Sequence, residues 1–248
     1  VRSLGGLIVC AWRQGHAQPL IVAANRDEFY ARPSLPLAQW PDAPQVYAGR
    51  DQEAGGTWLG VSADGRFAAL TNIRDPHQPP ARKSRGELVA RFLSETLAID
   101  DYLADVNGRS IEYAGFNLLV GTPDELWHYN AKHTAPTRLE PGVYGLSNAG
   151  LDTPWPKLLK AKAALRERLE DPLDLAGRHA GAGVLDLHRG ELARIGQPQR
   201  DLPRRGELDG VAQQVDEDLQ HALLVRAHHL GQRAGRLEAE LQALLGRL

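Results

Sequence analysis

The chain has 248 residues, 42% of them hydrophobic and 24% charged, with a formal net charge of -2, a composition that excludes a disordered chain and describes a folded globular one. That charge balance supplies no electrostatic reason to bind nucleic acid or an anionic membrane surface. No apolar stretch approaches the roughly 20 residues of a membrane-spanning helix, and the first ten residues lack the layout of a signal peptide, so the expected location is the cytoplasm. Cys10 is the only cysteine, which excludes an intrachain disulfide and a CxxC metal site. The nine histidines show no metal-ligand spacing, so no metal is expected.

In chain order, Leu7-Ile8-Val9-Cys10-Ala11-Trp12 is a short apolar run, separated by turn formers from a second one, Leu20-Ile21-Val22-Ala23-Ala24. The two pair most simply as an antiparallel hairpin. The second run reads as a strand buried on both faces. It delivers Asn25, Arg26, Asp27 and Glu28 together at its end, offering amide, guanidinium and carboxylate groups from one segment. Prolines at 33, 36, 41 and 44 argue against helix over 31–44 and predict an extended surface loop passing from one layer to another. Residues 57–62 and 66–72 form the clearest hairpin, joined at Asp64-Gly65.

Ser84-Arg85-Gly86-Glu87 fits a capping box ahead of a helix over about 85–97. A shorter helix is expected over 101–106, with Asn107-Gly108 as its stop. Strands follow at 116–120, 126–129 and 143–148, and Thr153-Pro154-Trp155-Pro156 opens a helix reaching about residue 169. Beyond Trp155 there is no aromatic residue and no Ser, Thr or Asn, and no further strand is expected. Leu223, Ala227, Leu230, Ala234, Leu237, Leu241, Leu244 and Leu248 alternate steps of four and three. Gly231, Gly235 and Gly246 interrupt this stripe, each costing about 1 kcal/mol relative to Ala. It predicts an amphipathic helix that packs on the domain or self-associates weakly. The resulting organisation is a domain over 1–180 and a divergent helical tail over 181–248.

Eight local motifs occur in one order: Ala11-Trp12-Arg13; Ala24-Asn25-Arg26-Asp27-Glu28-Phe29-Tyr30-Ala31-Arg32-Pro33; Ala48-Gly49-Arg50-Asp51; Gly55-Gly56-Thr57-Trp58-Leu59-Gly60; Leu70-Thr71-Asn72-Ile73-Arg74; Ser84-Arg85-Gly86; Gly115-Phe116-Asn117-Leu118-Leu119; and Gly145-Leu146-Ser147-Asn148-Ala149. Taken together they closely resemble the NRDE family, whose animal members are called transport and Golgi organisation protein two. The resemblance covers about residues 5–169. It implies an α+β fold, the four-layer αββα sandwich of N-terminal-nucleophile hydrolases, here with an atypical helical C-terminal region. It also implies kinship with the cholylglycine hydrolase and penicillin acylase group, in which an N-terminal cysteine attacks an amide carbonyl and its own α-amine acts as base.

Carried onto this chain, that likeness would make Arg26 and Asp27 positioning groups beside the nucleophile and Asn148 an oxyanion donor, with Asn25 beside them and Asn72 as a second polar group. Aligning Leu7-Ile8-Val9 with the family's aliphatic run, however, puts Gly6 at the nucleophile position. Cys10 lies four residues further along the same strand, roughly 13 Å away at about 3.3 Å per residue, and reads as a small buried hydrophobe. The expected function is therefore binding or trafficking of a small hydrophobic or amphipathic molecule, haem or an acyl-lipid. No cofactor is required, and Asn25, Arg26, Asp27, Trp58, Asn72 and Asn148 form the ligand site. The alternative is a cysteine-dependent amidohydrolase acting on linear C–N bonds, whose N-terminal nucleophile has been lost or misassigned. In either reading the pocket should lie where the ends of the first two strands meet Asn72 and Asn148, walled by Trp58.

Overall fold

In the computed structural model, the residues described are 6–13, 19–25, 31–73, 75, 81–133, 135–170, 183–186, 191–194 and 224–227. Two apolar runs, β1 (Leu7–Trp12) and β2 (Leu20–Asn25), pair antiparallel, with Leu7 opposite Asn25 and Trp12 opposite Leu20. The other edge of β1 takes β10 (Gly142–Ser147), with Leu7 opposite Ser147. Three further strands, β11 (Gly183–Asp186), β12 (Glu191–Arg194) and β13 (Leu224–Ala227), complete a six-stranded sheet in the order β10-β1-β2-β13-β11-β12.

The second sheet is a meander of seven strands in sequence order: β3 (Ser34–Trp40), β4 (Ala43–Asp51), β5 (Leu59–Ser62), β6 (Phe67–Asn72), β7 (Phe116–Gly121), β8 (Leu126–Asn130) and β9 (Thr137–Arg138). The β5–β6 hairpin turns at Gly65, whose φ of 85° is the left-handed conformation that glycine adopts without steric cost.

Period-2 alternation divides each strand's side chains between two faces. Ile8, Cys10, Trp12, Leu20 and Val22 meet Leu59, Val61, Phe67, Ala69 and Leu119 in the seam between the sheets. On the outer face of the first sheet, Leu7, Val9, Ala11 and Ile21 take Leu158, Ala161 and Leu165 of α3 (Pro156–Glu170). On the outer face of the second, α1 (Gly86–Ser94) and α2 (Ile99–Gly108) bury Leu88, Val89, Phe92, Leu93, Ile99, Tyr102, Leu103 and Val106. The layer order is thus α3, sheet, sheet, α1 with α2, the αββα sandwich that the resemblance implies. No helix among the described residues is long and apolar enough to cross a membrane.

Three expectations are corrected. The proline-rich stretch 31–44 is not a loop between layers, because β3 pairs with β4. Pro36 falls where the register shifts between Leu35 and Ala38, on a strand at the sheet's edge. An edge strand at a bulge is where a residue without an N–H does least harm to the ladder. The capping box at Ser84 does not form: Arg85 is the N-cap, in helical conformation and without a side-chain cap. The Glu87 carboxylate instead accepts from the Tyr113 hydroxyl at 3.0 Å, while Glu87 N–H donates to the Ser84 carbonyl.

The expectation of a strand-free helical tail also fails where the tail is described. Residues 183–186, 191–194 and 224–227 are strands, and β13 joins β2 directly, with Val225 opposite Val22. Leu223 is outside the described residues and Ala227 ends β13. The remainder of the heptad stripe, 228–248, lies outside the described residues.

Candidate functional site

Where β1 begins and β2, β6 and β10 end, the two sheets leave a pocket of about 200 Å³ at the rim of the sandwich. Gly6 precedes β1, Asn25 ends β2, Asn72 ends β6 and Asn148 follows β10, and all four line it with Trp58. Trp58 bridges layers, packing against both the inter-sheet core and the core under α1. Five residues singled out from sequence therefore share one cavity. Arg26 and Asp27, the other two expected site residues, lie outside the described residues.

The amides are fixed by main-chain partners. Asn25 Oδ1 accepts the Leu7 N–H at 3.0 Å, which leaves Nδ2 as the outward end of that amide. Asn148 is 8% exposed, and its Nδ2 donates across the seam to the Asn72 carbonyl at 2.7 Å. Asn148 Oδ1 is enclosed without a hydrogen-bond partner. Behind this wall runs a buried polar chain. Thr71 Oγ1 donates to the Ser147 carbonyl at 2.9 Å, Asn117 Nδ2 donates to Thr71 Oγ1 and to the same carbonyl, and Asn130 Nδ2 donates to Asn117 Oδ1 at 2.8 Å.

The opposite wall comes from elements not singled out as site residues. Gly49, Arg50 and Asp51 line it from β4, Leu35 from β3, and Arg32 from the segment before β3. Arg32 grips Asp51 with Nε and Nη2, the shortest contact 2.7 Å, and pairs with Glu53 at 2.8 Å. Burial pushes the Asp51 carboxyl up, but the Arg32 hydrogen bonds and charge, together with the Glu53 and Ala54 N–H groups, outweigh this and hold it below the usual carboxylate range. Arg50 lies 4.3 Å over the Trp40 ring and makes a two-pronged pair with Asp42. Both guanidinium groups thus meet carboxylates, Arg32 that of Asp51 within the lining and Arg50 that of Asp42 outside it.

The floor is a backbone crossing. Thr57 N–H donates to the Gly86 carbonyl at 3.2 Å, bringing the start of α1 onto the chain entering β5. A Cβ on Gly56 would lie 2.4 Å from the Gly86 carbonyl carbon, so only glycine permits this approach. Ser84, Arg85 and Gly86 line the pocket here, and Arg85 Nη1 donates to the Gly115 carbonyl at 3.1 Å.

Most lining residues that went unselected lie in motifs quoted above: Arg32; Gly49, Arg50 and Asp51; Thr57; Leu70 and Thr71; and Ser84, Arg85 and Gly86. Their recurrence in order was the available signal. What it did not supply was that strands far apart in sequence end at the same place.

Gly6 stands in this wall without a side chain. Cys10 is 1% exposed in the inter-sheet core, and burial, with the Asp152 carboxylate adding to it, pushes its thiol up to about 12. A thiol so placed is neither accessible nor ionised near neutral pH. Among the described residues, no group of three His, Cys, Asp or Glu side chains is arranged to hold a metal ion.

The sequence pattern of one family, described as Transport and Golgi organisation 2, matches residues 6–230, well past the span of the motifs and through the three C-terminal strands. The mouse Transport and Golgi organization 2 homolog is 40% identical over 192 residues, covering 74% of this chain and 70% of that one. The human Transport and Golgi organization protein 2 homolog matches to the same extent. Among solved structures, the Caenorhabditis elegans N-acylethanolamine-hydrolyzing acid amidase ortholog superposes with a TM-score of 0.41 at 12% identity, covering 65% of this chain and 79% of that one. The chain belongs to the Transport and Golgi organisation 2 family.

Proposed function

We propose that this protein binds a small amphipathic molecule in the pocket at the strand ends and does not turn it over. The observation that carries this reading is the shared lining: Gly6, with no side chain, sits beside Asn25, Asn72, Asn148 and Trp58 in one cavity. The site therefore has amides to orient a polar group and no nucleophile at the position where the hydrolase group carries one. Cys10 is no substitute, being buried and held as a thiol.

A pocket of about 200 Å³ is small beside the roughly 300–1,000 Å³ typical of ligand sites, so it suits a head group rather than a whole ligand. Leu35, 48% exposed, and Trp58 supply an apolar rim for the remainder. This favours an acyl-lipid over haem. Iron in haem proteins is held by His, Cys, Met or Tyr, and none of these is among the described lining residues.

The test is titration of an acyl-CoA and of haem into the wild type and into a folded triple variant, Asn25→Ala, Arg26→Ala, Asn148→Ala. The expected result is acyl-CoA binding that the variant loses. Equal affinity for the two proteins places the ligand elsewhere and sinks the assignment. The hydrolase alternative would require turnover by the unmodified chain.

A further inference from the structure

We infer that Asn25, not Asn148, is the residue that donates a hydrogen bond to the ligand, and that the group it receives is a carbonyl oxygen. Asn148 is a positioning residue. The inference rests on the binding reading of the pocket given above.

The argument turns on which end of each amide is committed. A carboxamide has two donor hydrogens on nitrogen and an acceptor oxygen. In Asn148 the nitrogen faces the Asn72 carbonyl at 2.7 Å. Reversing that amide would set oxygen against oxygen, so the carbonyl fixes its polarity. Its oxygen is enclosed and one of its two N–H groups is spent on that carbonyl, which leaves at most one donor on a side chain only 8% exposed. In Asn25 the polarity is the reverse. The Leu7 N–H can only donate, so Oδ1 must face it. That leaves Nδ2 without a partner among the described residues, on a half-buried side chain in the pocket wall.

Asn25 stands on β2 opposite Leu7, the residue next to Gly6. Its donor therefore sits one strand spacing, about 4.8 Å, from the start of β1. A ligand carbonyl lodged against Gly6 comes within its reach. Asn148, by holding the Asn72 main chain, keeps the end of β6 against the end of β10 and so sets the width of the pocket.

Two probes of equal tail length and opposite head-group polarity test this: methyl octanoate, whose ester only accepts hydrogen bonds, and octylammonium, which only donates. Isothermal titration of the full chain should give binding of methyl octanoate to the wild type. Asn25→Asp keeps an oxygen for Leu7 N–H but turns the outward end into an acceptor. It should weaken methyl octanoate about tenfold, the worth of one hydrogen bond, and strengthen octylammonium. Asn25→Ala should weaken the ester without strengthening the amine. Asn148→Ala should lower the unfolding midpoint while leaving the ratio of the two affinities within about threefold of the wild type. Unchanged ester affinity in both Asn25 variants, or an ester-to-amine affinity ratio that falls as far in Asn148→Ala as in Asn25→Ala, overturns the assignment of the donor. A wild type that binds neither probe overturns the binding reading itself and the inference with it.

Discussion

Asn148 holds the two sheets together at the pocket, its Nδ2 donating to the Asn72 main-chain carbonyl at 2.7 Å across a sequence separation of 76 residues. One residue earlier, at the end of β10, the Ser147 carbonyl accepts from both Thr71 and Asn117. The seam is apolar in its middle, and at this end these hydrogen bonds tie one sheet to the other.

The central member of that chain is Asn117, fully buried. Asn117→Leu keeps the volume but leaves Asn130 Nδ2 without its acceptor and removes two donations. Buried polar groups left unpaired cost about 1–3 kcal/mol each, so a loss of roughly 2–4 kcal/mol is expected in urea unfolding. A loss below 1 kcal/mol would mean that the network relaxes or takes up water at little cost.

Arg66 is 7% exposed and closes the far end of α1. Its Nε donates to the Phe92 carbonyl and its Nη2 to the Leu97 carbonyl, both at 2.9 Å, with the guanidinium 4.0 Å over the Phe92 ring. These carbonyls belong to the helix end and the chain beyond it, where backbone acceptors lack intrahelical donors and the dipole favours a cation. Arg66→Met should destabilise by roughly 2–3 kcal/mol. Arg66→Lys should recover only part of this, since one ammonium does not reproduce the fork. Full recovery by Lys would show that charge alone matters.

His128 sits in β8, mostly buried and with its Nε2 unpaired. Burial, with His133 adding to it, lowers its pKa from 6.5 to about 4. Above pH 6.5 the ring is neutral in folded and unfolded chains alike and contributes no pH dependence. Between pH 6.5 and about 4 the unfolded chain takes up a proton that the folded one refuses, so stability falls as pH falls, by roughly 3 kcal/mol in all. His128→Leu should flatten the unfolding free energy over that window. The lowered carboxylates Asp42, Asp51 and Asp105 act below the window, from their unfolded value of 3.8 downward, and Glu112 from 4.5 downward, at the window's lower edge. A slope unchanged by His128→Leu would assign the acid sensitivity to another group.

Cys10 and Gly6 make a joint prediction. The native protein should resist a thiol reagent at pH 8 and react only on the timescale of unfolding, because the sulfur is buried and protonated. The native chain should also leave penicillin V and bile-salt amides intact, whereas a chain in which residues 1–6 are replaced by Met-Cys places a thiol at the pocket. Turnover by the unmodified chain that Cys10→Ala abolishes would refute the geometric argument against Cys10.

Local chemistry by itself determined the strands and most helices of the described core. The apolar runs at residues 7–12 and 20–24, the Asp64-Gly65 turn and the Pro156 start of α3 each carry their conformation in neighbouring residues. The ordered motifs were likewise legible, and with them Asn25, Trp58, Asn72 and Asn148 as candidates. Tertiary structure decided what depends on partners distant in sequence. Pro36 became part of a strand because β3 had an edge to occupy. The segment 224–227 became β13 because β2 offered an unpaired edge, and pairing outweighs a helical pattern written over four residues. The polarity of the site was equally out of reach: an asparagine in a sequence is both donor and acceptor. Only the Leu7 N–H and the Asn72 carbonyl, brought up by the fold, determine which end of Asn25 and of Asn148 is committed.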